Sequence, residues 1–130
     1  VRKRVILNFN QDTFSASHVI KTLKALAEGG IKTEALIIDG LETDKINEAS
    51  AAEFKSYAKE AGTIIWFSAN TEGSTLSNVL PESLVKIVDA VVHLAQKPDT
   101  IQMDVLKFRN DKISDTNLKL DSKTLLIAEK

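Results

Sequence analysis

A chain of 130 residues fits one domain of ordinary size. With 17 Lys plus Arg against 18 Asp plus Glu, the net charge is −1, so the average charge offers no footprint for nucleic acid or an anionic membrane. The absence of cysteine excludes disulfides, thiolate catalysis and cysteine-ligated zinc, while a hydrophobic share of 43% suffices for a packed core.

The longest apolar runs, among them Ala35 to Ile38 and Ala90-Val91-Val92, are far too short to span a bilayer. No signal-peptide pattern opens the chain, and the expected setting is soluble and cytoplasmic. The first residue is Val1 rather than Met, which fits an excerpt, a processed product or a trimmed chain. No linker, repeat or low-complexity tract divides residues 1–130, so one domain is expected.

Val5 to Phe9 is a short apolar run and reads as a strand. Phe14 to Glu28 carries Ala16, Val19, Ile20, Leu23, Leu26 and Ala27 at helical spacing, and Gly29-Gly30 closes that helix. Ala35 to Ile38 is an unbroken apolar run, the mark of a strand buried on both faces. Ser50-x-x-Glu53 has the form of a capping box. The helix after it buries Phe54, Tyr57, Ala58 and Ala61 and stops at Gly62. Thr63 to Phe67 reads as a third strand, with Trp66 in the core. Pro81 fits the first turn of a short helix running to about Val88. Ala90 to Leu94 and Ile101 to Phe108 are the fourth and fifth strands. Asn117 to Ala128 is expected to hold a last hairpin, with Asp121-Ser122-Lys123 near its turn. The alternating part requires crossover connections and a parallel sheet, and the tail adds antiparallel strands at one edge. The expected class is α/β with a mixed sheet, mainly parallel.

In an open parallel sheet, ligands collect at the carboxyl ends of the strands. Four such ends are polar: Asn8-Phe9-Asn10-Gln11-Asp12, Asp39, Ser68-Ala69-Asn70-Thr71-Glu72, and Lys107 with Arg109 and Asn110.

The order of these segments resembles the later part of a RecA-like P-loop ATPase, nearest the KaiC, RadA and DnaB branch. Val5 to Glu28 resembles the strand and helix that follow the phosphate-loop helix in that branch. Ala35 to Asp39 resembles the Walker B strand, and Ile64 to Asn70 a strand with a sensor-like polar end. Val88-Asp89-Ala90-Val91-Val92-His93-Leu94 fits the hydrophobic end of the family's Ala-Asp-strand pattern, and Lys107-Phe108-Arg109 its late Lys-x-Arg strand. The resemblance spans nearly the whole chain and rests on the order of five short motifs. It implies a three-layer RecA-like fold, ATP and Mg2+ as cofactors, and assembly into a homo-oligomeric ring or filament.

The resemblance also assigns roles. Asp39 would orient magnesium through water, since a hard cation prefers oxygen ligands. Taken alone, an Asp after a buried strand also starts a turn or caps a helix. Asn10 and Gln11 stand where the family often has a glutamate that activates the attacking water. An amide orients water but cannot take its proton, which weakens the case for hydrolysis. The plain alternative is a polar turn with Asp12 or Thr13 capping the next helix. Lys107 and Arg109, two apart on a strand, would project from one face and reach the γ-phosphate held by an adjacent subunit. The alternative is a solvated strand face paired with Asp104 or Asp111. Ser68 and Asn70 would sense a phosphate or position water, or simply form a loop. His18 and His93 have no partner pattern for a metal site.

One family part is missing from the sequence: no G-x-x-x-x-G-K-[ST] occurs, and Gly29-Gly30-Ile31-Lys32-Thr33 lacks its spacing and follows a helix rather than opening one. The expected protein is therefore an ATPase-type, oligomer-forming domain, catalytically incomplete as it stands. The rival is a non-enzymatic α/β interaction domain that has lost nucleotide binding. A receiver-like domain with Asp39 as phosphoacceptor would need an acidic pair at the end of the first strand, where Asn8 and Asn10 stand.

Overall fold

The computed structural model describes residues 4–10, 12–42, 46–73, 75–109, 111–112 and 118–124. Two helices carry the core. α1 (Ala16–Glu28) starts at Ser15, whose hydroxyl accepts the His18 N–H at 3.2 Å. The N-cap is thus Ser15 and not Asp12 or Thr13. The helix ends as its spacing predicts, in a Schellman motif: Gly30 has φ +89°, its N–H donates to Ala27 O, and the Ile31 N–H donates to Leu26 O.

α2 (Glu48–Ala61) starts two residues before the expected capping box. Its cap is Asn47, whose side chain accepts the Ser50 N–H at 2.8 Å. Ser50 therefore lies inside the first turn, and the helix gains Glu48 near its positive end. Gly62, at φ +66°, stops α2 in the left-handed conformation that costs glycine least.

β1 (Ala35–Ile38) and β2 (Ile64–Phe67) pair in parallel, Ala35 opposite Ile64 and Ile38 opposite Phe67. α2 is the crossover between them, and Thr63 secures the entry to β2 by donating its buried hydroxyl to Thr33 O at 2.7 Å. Both helices cover one face of this pair. Val19, Ile20, Leu23, Phe54 and Tyr57 pack there against Leu36, Ile38, Ile65 and Phe67. Phe54 is the centre, edge-on to Phe67 at 5.4 Å and stacked on Phe14 at 6.4 Å.

The opposite face is bare: Ile37, Ile64 and Trp66 are 73%, 63% and 54% exposed. The expectation that Ala35 to Ile38 is buried on both faces, and Trp66 in the core, is thereby corrected. Side chains alternate along a strand, and neither helix lies over the other side. Val5 to Phe9 is also corrected: it makes no strand pairing in this structure.

α3 (Leu76–Val79) and α4 (Glu82–Val85) are single turns, with Pro81 as the N-cap of α4. β3 (Ala90–Gln96) and β4 (Thr100–Phe108) form an antiparallel hairpin closed by Lys97 N–H to Thr100 O at 2.8 Å. β5 (Asp111–Lys112) and β6 (Leu118–Asp121) both pair with β4. The protein is mixed α/β with two sheets: a two-stranded parallel one and a separate antiparallel one. The tail strands are antiparallel, as expected, but they form a sheet of their own instead of joining the edge of the parallel one. β3 finds its partner four residues on in β4, where loop-closure entropy is smallest. Of the expected final hairpin, β6 and the turn at residues 122–124 are described, and β6 pairs back to β4; Asn117 and 125–128 lie outside the described residues.

Candidate functional site

The carboxyl ends of β1 and β2 form one polar rim, because parallel strands present their ends on the same side. Ser68 N–H donates to Ile38 O at 2.9 Å, and Leu41 N–H donates to Ser68 O at 2.9 Å, so the pairing runs one step beyond each strand. The Ser68 hydroxyl donates to Asp39 Oδ1 and accepts the Gly40 N–H at 3.1 Å. Gly40 has φ +71°, the left-handed region that costs glycine least, and the chain turns there so that the next residue, Leu41, still bonds to Ser68. The structure thus joins two residues that the sequence singled out separately, Asp39 and Ser68. Both are exposed, and together they offer a carboxylate and a hydroxyl to solvent. That donor set suits a hard cation held through water. Among the described residues, no group of three or more His, Asp or Glu is placed to hold a metal directly. Asn70 is exposed two residues beyond Ser68.

Asn10 is occupied locally. Its side-chain oxygen accepts the Asp12 N–H at 3.1 Å, and its carbonyl accepts the Thr13 N–H at 3.0 Å and the Thr13 hydroxyl at 3.2 Å. This is an Asx turn leading into α1. Gln11 lies outside the described residues.

Lys107 and Arg109 take different roles from each other. Lys107 is half-buried, and its ammonium donates to Val85 O at 2.5 Å and Val88 O at 2.6 Å. Val85 is the last residue of α4, where a helix leaves acceptors unsatisfied, and Val88 lies three residues beyond it. Arg109 lies past the end of β4, with φ +58°, and its N–H donates to Asp89 O at 2.5 Å. Its guanidinium lies 5.3 Å from the centre of the Phe108 ring. The two cations do not extend side by side from one strand face, because the backbone turns between them. Asp104 takes the Gln102 side-chain amide at 3.2 Å instead of pairing with Lys107.

Lys55 was missed by sequence reasoning. From α2 it donates to Ile87 O at 2.7 Å and pairs with Asp89 at 3.3 Å. Lys55 and Lys107 therefore clamp the same turn, residues 85 to 89, between helix and hairpin. A lysine in a helix among apolar neighbours carries no sequence signal of such a contact. His18 is edge-on to Phe9 at 5.9 Å, and His93 is half-buried with Nδ1 lacking a hydrogen-bond partner.

No helix among the described residues is long and apolar enough to cross a membrane. Compared with protein-family models and with curated proteins, the chain gives no match.

Proposed function

We propose that this chain is a RecA/KaiC-like ATPase-type domain, a nucleotide-linked module that forms homo-oligomers and is catalytically incomplete as it stands. The observation that carries this reading is the Asp39–Ser68 pair at the carboxyl ends of adjacent parallel strands, where such sheets bind ligands. On this reading the finer fold is a three-layer RecA-like core and the setting cytoplasmic. Asp39 would hold Mg2+ through water, with Ser68 fixing the carboxylate, and Asn70 would sense a phosphate or position water. The metal would supply charge neutralisation on the phosphates of ATP. Asn10 and Gln11 would orient water without accepting its proton. Lys107 and Arg109 would act toward a neighbouring subunit of a ring or filament, which requires Lys107 to leave the Val85 and Val88 carbonyls.

A second reading is an interaction domain without nucleotide binding. Two observations favour it. The Lys107 ammonium is engaged by backbone carbonyls, and the Asn10 side chain serves a turn.

Calorimetric titration with Mg2+ and a non-hydrolysable ATP analogue, run beside Asp39→Ala, separates the two. Binding that weakens at least about tenfold in the variant, a loss of about 1.4 kcal/mol, supports the nucleotide site. No binding at millimolar ligand overturns it and leaves the interaction domain.

A further inference from the structure

The free edge of β1 lies along an open groove. It is lined by Gly30 to Glu42, by Arg4 to Phe9, and by Phe14, Val19 and Leu23. The pairing with β2 fixes which backbone groups face this groove. Ile64 N–H donates to Glu34 O and Ser68 N–H to Ile38 O, so Glu34, Leu36 and Ile38 turn their backbones toward β2. In a parallel ladder the intervening residues face the other way. The N–H and C=O groups of Ala35 and Ile37 therefore point into the groove. Among the described residues, no backbone hydrogen bond joins Arg4 to Phe9 to them.

The facing segment already has the properties of a strand. Val5, Ile6, Leu7 and Phe9 are β-branched, aliphatic or aromatic. Their burial alternates with a period of two: Ile6 is 83% exposed, while Val5 and Leu7 on either side are 48% and 37% exposed. The less exposed set ends in Phe9, which packs edge-on against Phe14 at 6.2 Å and His18 at 5.9 Å, on the helix side. The segment is thus anchored at one end and faces the same layer as Leu36 and Ile38. A two-stranded parallel sheet with an open apolar edge leaves backbone groups without protein partners and invites pairing.

We propose that Val5–Phe9 is a strap that closes onto the free edge of β1 as a third, parallel strand, hinged near Phe9 and Asn10. Closure satisfies the Ala35 and Ile37 backbone groups and places Leu7 and Phe9 beside Leu36 and Ile38. It also sets the Asn10 turn on the same rim as Asp39 and Ser68. This motion requires no nucleotide, so it stands or falls apart from the proposed activity.

Residue-resolved amide hydrogen exchange on the whole chain tests it. Leu36 and Ile38 are internal controls, since their amides bond to β2 in either state. With a closing strap, Ala35 and Ile37 exchange at least roughly tenfold more slowly than an unstructured chain. Ile6→Pro and Leu7→Pro each remove one donor, and only one of the two faces β1. One of these variants is expected to release the Ala35 and Ile37 amides while Leu36 and Ile38 stay protected. Interstrand Hα–HN contacts between Val5–Phe9 and Ala35–Ile38 in the unsubstituted protein give the same answer should a proline variant fail to fold. Exchange of Ala35 and Ile37 at the unstructured rate in the unsubstituted protein overturns the proposal. So does protection that neither proline reduces.

Discussion

Ser68 donates a hydrogen bond from its hydroxyl to Asp39, a residue 29 positions earlier, while the same oxygen accepts the Gly40 N–H. This one side chain ties the exit of β2 to the exit of β1. The bond is local to the rim and exposed to water, so it shapes the site more than it stabilises the fold.

Ser68→Ala removes both interactions of that hydroxyl. The expected loss is about 0.5–1.5 kcal/mol, at the low end because water replaces the lost partner of Gly40. Urea unfolding of Ser68→Ala, Asp39→Ala and the double variant should show coupling of at least about 0.5 kcal/mol, as contacting residues do. Strict additivity would mean that the pair is not formed in solution.

Lys107→Met should cost more. It deletes an ammonium that serves two carbonyls, Val85 O and Val88 O, in a half-buried place. Hydrogen bonds to charged groups contribute about 1.5–3 kcal/mol, and the loss should appear as a lower denaturation midpoint. A surface lysine on a solvated strand face would give a change within about 0.5 kcal/mol, which is the contrary outcome.

The start of α2 offers a paired test. Asn47→Ala removes the cap on Ser50 N–H and should destabilise by about 0.5–2 kcal/mol. Ser50→Ala keeps that bond and replaces a first-turn serine with the best helix former, so stability should hold or rise slightly. The reverse order would restore Ser50 as the cap.

Asp121 supplies a pH dependence of known sign. The Thr124 N–H, then the Lys123 N–H, then the Thr124 hydroxyl hold its carboxyl below the ordinary carboxylate range. A depressed value means the turn is favoured above the unfolded pKa, about 3.9, and that this support is lost as pH falls through the folded value. The Lys123 and Thr124 amide shifts should titrate with a midpoint below that of a free Asp. Asp121→Asn should abolish the titration. A midpoint at or above the free value would contradict the bonding at this turn.

Much of the secondary structure was legible because it is local. The apolar spacing of α1, the glycines at its end and at Gly62, and the runs that became β1 to β4 all act through near neighbours in the chain. Asp39 and Ser68 were also legible as strand-end polar residues, though not as a bonded pair, since nothing local links positions 29 apart.

Other features were decided by tertiary structure. Ala35 to Ile38 reads as buried on both faces, yet helices cover only one, because burial depends on where the crossover runs. Val5 to Phe9 has strand character, but a strand exists only through its partner's hydrogen bonds. Lys107 and Arg109 look like a matched pair by spacing. The positive φ at Arg109 and the Val85 and Val88 carbonyls near Lys107 send them to different partners. Periodicity and caps are written in neighbouring residues and survive any arrangement of the whole. Which face is covered, which edge is open and which cation is free depend on contacts between distant segments, and only folding brings those together.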